Sequence, residues 1–201
     1  FAIYKEEKKY KYKYSICLNE MNFTTFKKQF NKITKQVKID QISDHVIIKT
    51  NDKPEKILKS LNEKFKNISL VGYGKSIEIF KQVGNPENVV KKFNLEKFEG
   101  SHGIGHTRMA TESAITTDGS HPYSTGEDEC LVHNGSLSNH NNLRRKLKKK
   151  GSKFNSENDT EVAAGYISDN LKNKKSLKDT LLTGLKDLDG FYTFITGTRK
   201  G

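Results

Sequence analysis

A chain of 201 residues is long enough for one sizeable core and reads as a single domain over 1–201; no apolar run is long enough to span a membrane and no signal-peptide pattern is present. The net charge of +12 raises nucleic acid as a partner, but the lysines are dispersed among Asn and Ile rather than gathered into a patch, which argues against that role. Two distant cysteines, Cys17 and Cys130, without C-x-x-C spacing, speak against a disulfide framework or a zinc knuckle and fit a reducing cytoplasm.

In chain order, residues 1–4 read as a strand stub. Lys9 to Leu18 alternates Tyr10, Tyr12, Tyr14, Ile16 and Leu18 against Lys11, Lys13, Ser15 and Cys17, which predicts a half-buried strand with Cys17 facing away from the aromatics. Residues 24–37 place Phe26, Phe30, Ile33 and Val37 at helical spacing, with Thr24 or Thr25 as cap. His45 to Lys49 is a short strand. Asp52 before Pro54 predicts a capped helix to about Phe65, and Ile68 to Val71 the next strand. Gly72-Tyr73-Gly74-Lys75-Ser76 lacks full phosphate-loop spacing and reads as a tight turn before the strand Ile77 to Phe80. Asn85-Pro86 opens a short helix to Phe93.

The second half is more polar in its pattern. His102 to Thr111 is strand-like, and 116–129 is a polar loop. Cys130 to His133 is a short strand ending at Asn134-Gly135. Helices are predicted from Ser138 to Lys150, Glu161 to Asn170 and Ser176 to Leu185, followed by a strand over Phe191 to Thr196. The basic run Arg144 to Lys150 then lies at a helix end, where cations complement the dipole and face solvent. Strands and helices in mixed order, with much strand–strand adjacency, predict an α+β fold.

Chemistry concentrates between Gly103 and Glu161. Arg108, in Gly105-His106-Thr107-Arg108-Met109-Ala110-Thr111, is a planar fork suited to an α-carboxylate. Asp159, in Asn158-Asp159-Thr160-Glu161, suits an α-ammonium, or caps a helix. Asn134-Gly135 offers a side-chain amide and a backbone N–H for an oxyanion; as an Asn-Gly pair it also signals a hairpin, but the helix predicted after it fits a two-residue hairpin poorly. Five of six histidines fall between His102 and His140, which raises a metal site; His102 and His106 are four apart but straddle Gly103 and Gly105 in a strand-like run, so no metal is expected.

His106-Thr107-Arg108-Met109-Ala110-Thr111, His121-Pro122, Val132-His133-Asn134-Gly135 and Asn158-Asp159-Thr160-Glu161, in that order, resemble the class II glutamine amidotransferases of the N-terminal-nucleophile hydrolase superfamily. Thr-Arg-Met-Ala-Thr-Glu-Ser, the Gly-Ser-Leu-Ser-Asn-His run after Asn134, and Leu188-Asp189-Gly190-Phe191-Tyr192 are most similar to the stand-alone glutamate-synthase-like subunits, such as that of N-methylglutamate synthase. The resemblance is strong over 101–201 and weaker over 1–100. It implies a four-layer α-β-β-α sandwich of two stacked antiparallel sheets. It implies that Arg108 holds the glutamine carboxylate, that Asp159 holds its amine, that Asn134 and Gly135 form the oxyanion hole, and that Thr111 and His121 line the pocket. Met109 stands where other branches carry Trp, and Glu112-Ser113 where they carry His-Gly, so the pocket rim is expected to differ.

The resemblance further implies a glutaminase that needs no cofactor itself and delivers ammonia to an FMN-containing synthase subunit, within a homo- or hetero-oligomer. The family's nucleophile is an N-terminal Cys followed by Gly, and Cys17 and Cys130 are internal. The chain is therefore expected to lack the first strand with its nucleophile and a C-terminal part, and to be inactive alone. A catalytically dead glutamine-binding or scaffolding subunit, or a basic nucleic-acid-binding domain, are the alternatives.

Overall fold

The computed structural model describes residues 1–108 and 114–201. Among the described residues the named strands pair with one another antiparallel in three hydrogen-bonded sets, and helices cover two outer faces. This is the mixed α+β architecture expected from the element order.

The first set has β1 (Ala2–Tyr4) between β6 (Ile77–Ile79) and β7 (His102–Ile104). The second runs β3 (Val37–Ile42), β4 (His45–Thr50), β2 (Tyr12–Cys17), β5 (Ser69–Gly74). The third pairs β8 (Glu129–Leu137) with β9 (Gly190–Thr198). Side chains on a strand alternate between faces, so the apolar clusters give the layer order. Tyr14 and Ile16 of β2 pack with Phe26, Phe30, Ile57 and Leu61 of α1 (Phe23–Phe30) and α2 (Pro54–Lys64). From the opposite face, Cys17 packs with Ala2, Tyr4, Ile77, Ile79 and Cys130 between the sheets. Beyond the third set, Leu131 and Leu137 pack against Leu143 and Leu147 of α4 (His140–Lys149) and Val162, Ala163 and Ile167 of α5 (Asp159–Lys172). The order is thus helix, sheet, sheet, helix. Each sheet contributes one face to a helix layer and one to the central core.

Several elements differ from expectation for identifiable reasons. β2 is buried on both faces, since Lys13 and Ser15 are as enclosed as Tyr14. Lys13 is tolerated there because its Nζ ion-pairs with Glu78 at 2.7 Å and donates to the Lys5 carbonyl at 2.6 Å. The helix expected over 24–37 ends at Phe30, and Val37 begins β3 instead. Its cap is Asn22, whose side chain accepts from Thr24 and Thr25 N–H, not either threonine. Asp52 does not cap α2; it pairs with Lys56 at 2.7 Å, and Lys53 takes the cap position. The cap at Asn85 of α3 (Pro86–Phe93) is as expected, with Glu87 N–H donating to its side chain.

β7 stops at Ile104 rather than Thr111, while β8 runs through Asn134-Gly135 to Leu137. The cap position of α4 is Asn139 rather than Ser138. Arg144 does not face solvent: it is buried and donates to the Ser156 and Asn158 carbonyls at 2.6 and 3.1 Å, holding the turn that leads into α5. α6 (Leu177–Asp187) lies where a helix is expected over Ser176 to Leu185, with Ser176 as its cap.

A tight turn does join β5 to β6, but it is Lys75-Ser76 alone, since Gly72–Gly74 still belong to β5, and it is pinned by one carboxylate. The buried Asp128 carboxylate accepts from the N–H groups of Lys75, Ser76 and Ile77 at 2.8–3.1 Å and from the Ser76 hydroxyl at 3.0 Å. A Cβ on Gly74 would occupy the space that this carboxylate fills. Asp128→Ala should leave three backbone donors without their charged acceptor and cost about 3 kcal/mol, read as a lower midpoint in chemical denaturation with an unchanged slope. A loss below 1 kcal/mol would contradict this account of the turn.

Candidate functional site

The polar clusters singled out in the sequence converge where the end of β8 meets the start of α5. Asn158 caps α5, its side chain accepting from Thr160 N–H at 2.8 Å. Asp159 is therefore the first residue of the helix, not its cap. Its Oδ2 accepts from Leu137 N–H at 2.9 Å, and its Oδ1 lies 3.6 Å from His133 Nδ1. Burial alone would raise the pKa of this carboxyl, but the His133 ring and the Leu137 N–H outweigh it and hold the pKa at about 2. Its position at a helix N-terminus acts in the same direction. Asp159 is thus a fixed anion, with a fifth of its side chain still open to solvent.

Thr160, the next residue, is almost fully enclosed. Its hydroxyl lies 2.9 Å from His133 Nδ1 and 2.9 Å from His121 Nε2. His121, followed by a cis peptide bond to Pro122, packs against His106 with ring centres 4.3 Å apart and planes tilted by 37°, and meets Tyr123 edge-on at 5.3 Å. Burial first, then the neighbouring His106, Lys81 and Arg108, lower its pKa to about 3, so the ring is neutral at physiological pH. Arg108 reaches the same loop by donating to the Gly119 carbonyl at 3.2 Å. The loop is held from its other side by Lys81, whose Nζ donates to the Asp118 carbonyl at 2.9 Å and sits 4.1 Å from the centre of the Tyr123 ring. Burial lowers the Lys81 pKa to about 8.

β8 supplies the third side. Tyr123 and Leu131 exchange backbone hydrogen bonds at 2.9 and 2.8 Å, so Leu131 directs its N–H and C=O away from β9. Alternation along an antiparallel ladder then gives His133, Gly135 and Leu137 the same edge. The Leu137 N–H confirms this direction by binding Asp159. Gly135 therefore presents its N–H two residues, or about 7 Å, from the bound Asp159 carboxylate, on the edge that also carries the His121 loop. Its φ of +128° and the nearness of the Phe191 carbonyl explain why glycine stands there.

Asn134 lies on the face opposite His133. It is exposed, and its register partner is Thr193; Phe191 and Ile195, which share that face, are 85% and 59% exposed. Among the described residues no side-chain hydrogen bond fixes the Asn134 amide. The structure thus brings His121 and Asp159 together at Thr160, sets Arg108 on the loop that carries His121 and Gly135 on the β8 edge two residues from the Leu137–Asp159 contact, and leaves Asn134 on an exposed face of β8. Thr111, like Met109 and Glu112-Ser113, lies outside the described residues.

Sequence reasoning assigned no role to Thr160 or His133. Both sit inside the motifs that marked the site, and the hydroxyl beside Asp159 was the available signal. The histidines themselves do not gather into one cluster: His102 contacts Ser101 Oγ and the Thr198 carbonyl and stacks on Tyr4. The metal-ligand types that come together among the described residues are Cys17, Asp44 and His45. There, Lys81 N–H donates to His45 Nε2 at 3.2 Å, which leaves Nδ1 protonated and donating to Asp44 at 2.8 Å, so His45 is already committed at both nitrogens.

Neither cysteine has the character of a nucleophile. Both are buried in strands, and burial raises both thiols. Tyr4 additionally donates to Cys130 Sγ at 3.4 Å.

The model of the glutamine amidotransferase domain family matches residues 95–195, half of the chain and all of this constellation. The chain belongs to that family, and its motifs are of the class II type. It is 57% identical over 135 residues to the glutamine amidotransferase-like protein GlxB of Rhizobium meliloti (strain 1021), covering 67% of this chain and 45% of that protein. It is 34% identical over 155 residues to the isomerizing glutamine–fructose-6-phosphate aminotransferase of Methanococcus maripaludis, covering 70% of this chain and 26% of that one. The chain therefore spans less than half the length of these relatives. Among solved structures, the allosteric regulatory enzyme of purine biosynthesis aligns with 94% of this chain and 35% of its own, at 20% identity and a TM-score of 0.47. No helix among the described residues is long and apolar enough to cross a membrane.

The neutral buried His121 makes stability depend on pH. Its pKa is lower folded than unfolded, so below about 6.5 the unfolded chain binds a proton that the folded chain does not, and acid destabilises. Unfolding free energy measured from pH 6 to 4 should fall less steeply in His121→Gln than in the wild type, by about 1.4 kcal/mol per pH unit. Parallel slopes would contradict the assignment.

Proposed function

We propose that this chain forms the glutamine-binding body of a glutaminase that releases ammonia for a synthase partner. The observation that carries the reading is the junction of Asp159 with the β8 edge, where a fixed anion and the Gly135 N–H lie about 7 Å apart. That spacing is comparable to the reach of an extended glutamine from its α-amine to its side-chain amide. The ionised Asp159 takes the α-ammonium. Arg108, two residues along the loop from the His106 ring, takes the α-carboxylate as a charge-assisted fork. His121 lines the pocket between them, and the resemblance of the motifs gives Thr111 a pocket role as well.

A thiolate attacks the glutamine amide carbonyl, and the oxygen that becomes negative is held by the Gly135 N–H and the Asn134 side-chain amide. The C–N bond then breaks as the α-ammonium of the residue that carries the thiolate gives a proton to the leaving nitrogen, and ammonia leaves. Water hydrolyses the resulting γ-glutamyl thioester to glutamate. Because Cys17 and Cys130 are buried in strands with raised thiols, this reading takes the thiolate from a terminal Cys-Gly beyond the 201 residues. The Asn134 face is open and apolar at Phe191 and Ile195, which suits the approach of such a segment. The ammonia acceptor in this reading is a glutamate-synthase-like subunit carrying FMN.

N-terminal sequencing with intact mass of the mature protein should give Cys-Gly. Any other first residue overturns hydrolysis by this route and leaves a glutamine-binding or scaffolding role. In glutamine hydrolysis by the full-length protein, Arg108→Ala and Asp159→Ala should raise KM roughly 10- to 100-fold, as loss of a charged hydrogen bond does. Asn134→Ala should instead lower kcat roughly 100- to 1,000-fold. Unchanged kinetics in all three would refute the site.

A further inference from the structure

Thr160 has one hydroxyl and two histidine neighbours at the same 2.9 Å distance. A hydroxyl donates one proton, so the two rings must play different parts. Asp159 decides which. Its carboxylate is ionised and acts only as an acceptor, and it lies 3.6 Å from His133 Nδ1. A lone pair at Nδ1 would face that charge, whereas an N–H there is attracted to it. His133 Nδ1 therefore carries hydrogen and donates to Thr160 Oγ1. The Thr160 hydroxyl, with its acceptor side engaged, donates onward to His121 Nε2 at 2.9 Å, the nearer of its two acceptors, Asp159 Oδ1 being 3.5 Å away. His121 is neutral, so its hydrogen must sit on Nδ1. That atom is buried and has no hydrogen-bond partner among the described residues.

We propose that Thr160 is a positioning residue: through its hydroxyl, the orientation that Asp159 imposes on His133 passes to His121 and fixes His121 as an Nδ1–H donor for a hydrogen-bond acceptor of the bound amino acid. The inference rests on the reading of His121 as a pocket residue. It also links two parts of the site, since the anion that takes the ligand's ammonium sets the donor that faces another of its groups. Three features hold the relay in place. Thr160 is in the first turn of α5, its N–H is held by Asn158, and it is 1% exposed, so the hydroxyl has little freedom to turn elsewhere. His106 packs on His121 from one side and Tyr123 from another, which fixes the ring plane.

Nitrogen-15 NMR of the histidine-labelled chain without ligand distinguishes protonated from unprotonated ring nitrogens. The expected pattern is hydrogen on Nδ1 of both His121 and His133. Thr160→Ser should keep it. Thr160→Val, which preserves shape and removes the hydroxyl, should release His121 to a mixture of tautomers and weaken glutamine binding about tenfold, the equivalent of one hydrogen bond. Hydrogen on Nε2 of His121 in the wild type, or an unchanged His121 tautomer in Thr160→Val, would overturn the relay. A wild-type chain with the expected tautomers that ignores glutamine would leave the relay standing and overturn the pocket reading on its own.

Discussion

The candidate site depends on a single junction, the hydrogen bond from Leu137 N–H to Asp159 Oδ2. It ties the last residue of a strand to the first residue of a helix twenty-two positions later. A carboxylate at that point is stabilised three ways, by the strand N–H, by the His133 ring and by the helix dipole. The bond uses Oδ2; Oδ1 lies beside the His133 ring, and a fifth of the side chain remains open to solvent. The same contact sets the register of α5 against β8, which brings Thr160 between two histidines. Fold and site are therefore not separable here: the contact that docks the helix also positions the charge.

The surrounding elements serve that junction. Arg144 and Glu161 fix the turn that enters α5, Arg144 by donating to the Ser156 and Asn158 carbonyls and Glu161 by accepting from the Asn155 and Ser156 N–H groups at 2.8 Å. Lys81 and Arg108 hold adjacent carbonyls, Asp118 and Gly119, of the loop that delivers His121. A loop clamped by two cations at its backbone keeps its side chains in place without a strand or helix of its own. Polar residues buried this deeply need partners, and most find them in backbone carbonyls and N–H groups of the loops they organise.

How much of this was legible in the sequence varies with the physical signal. Asn85-Pro86 and Ser176 marked helix starts because capping is local chemistry, decided within a few residues. β3 was hidden because Ile33 and Val37 happen to continue the helical spacing of Phe26 and Phe30, and the pairing of β3 with β4 is a tertiary choice. Arg144 looked like part of a solvent-facing basic run. The spacing already turns its neighbours Leu143 and Leu147 inward, but only the fold shows that Arg144 joins them on the buried side of α4. The motifs located the site, but His133 and Thr160 gained their roles only from distances between elements. Asp128, which pins a turn fifty residues earlier in the chain, carried no local signal at all.

The central claim is that Arg108, His121, Gly135 and Asp159 form one site for glutamine. The most direct measurement is a titration of the isotope-labelled chain with L-glutamine, followed by backbone and side-chain NMR shifts. Saturable changes concentrated at Arg108, His121, Gly135 and Asp159, absent with D-glutamine, are the predicted result. Saturable changes centred elsewhere, or no response to L-glutamine, would contradict the account.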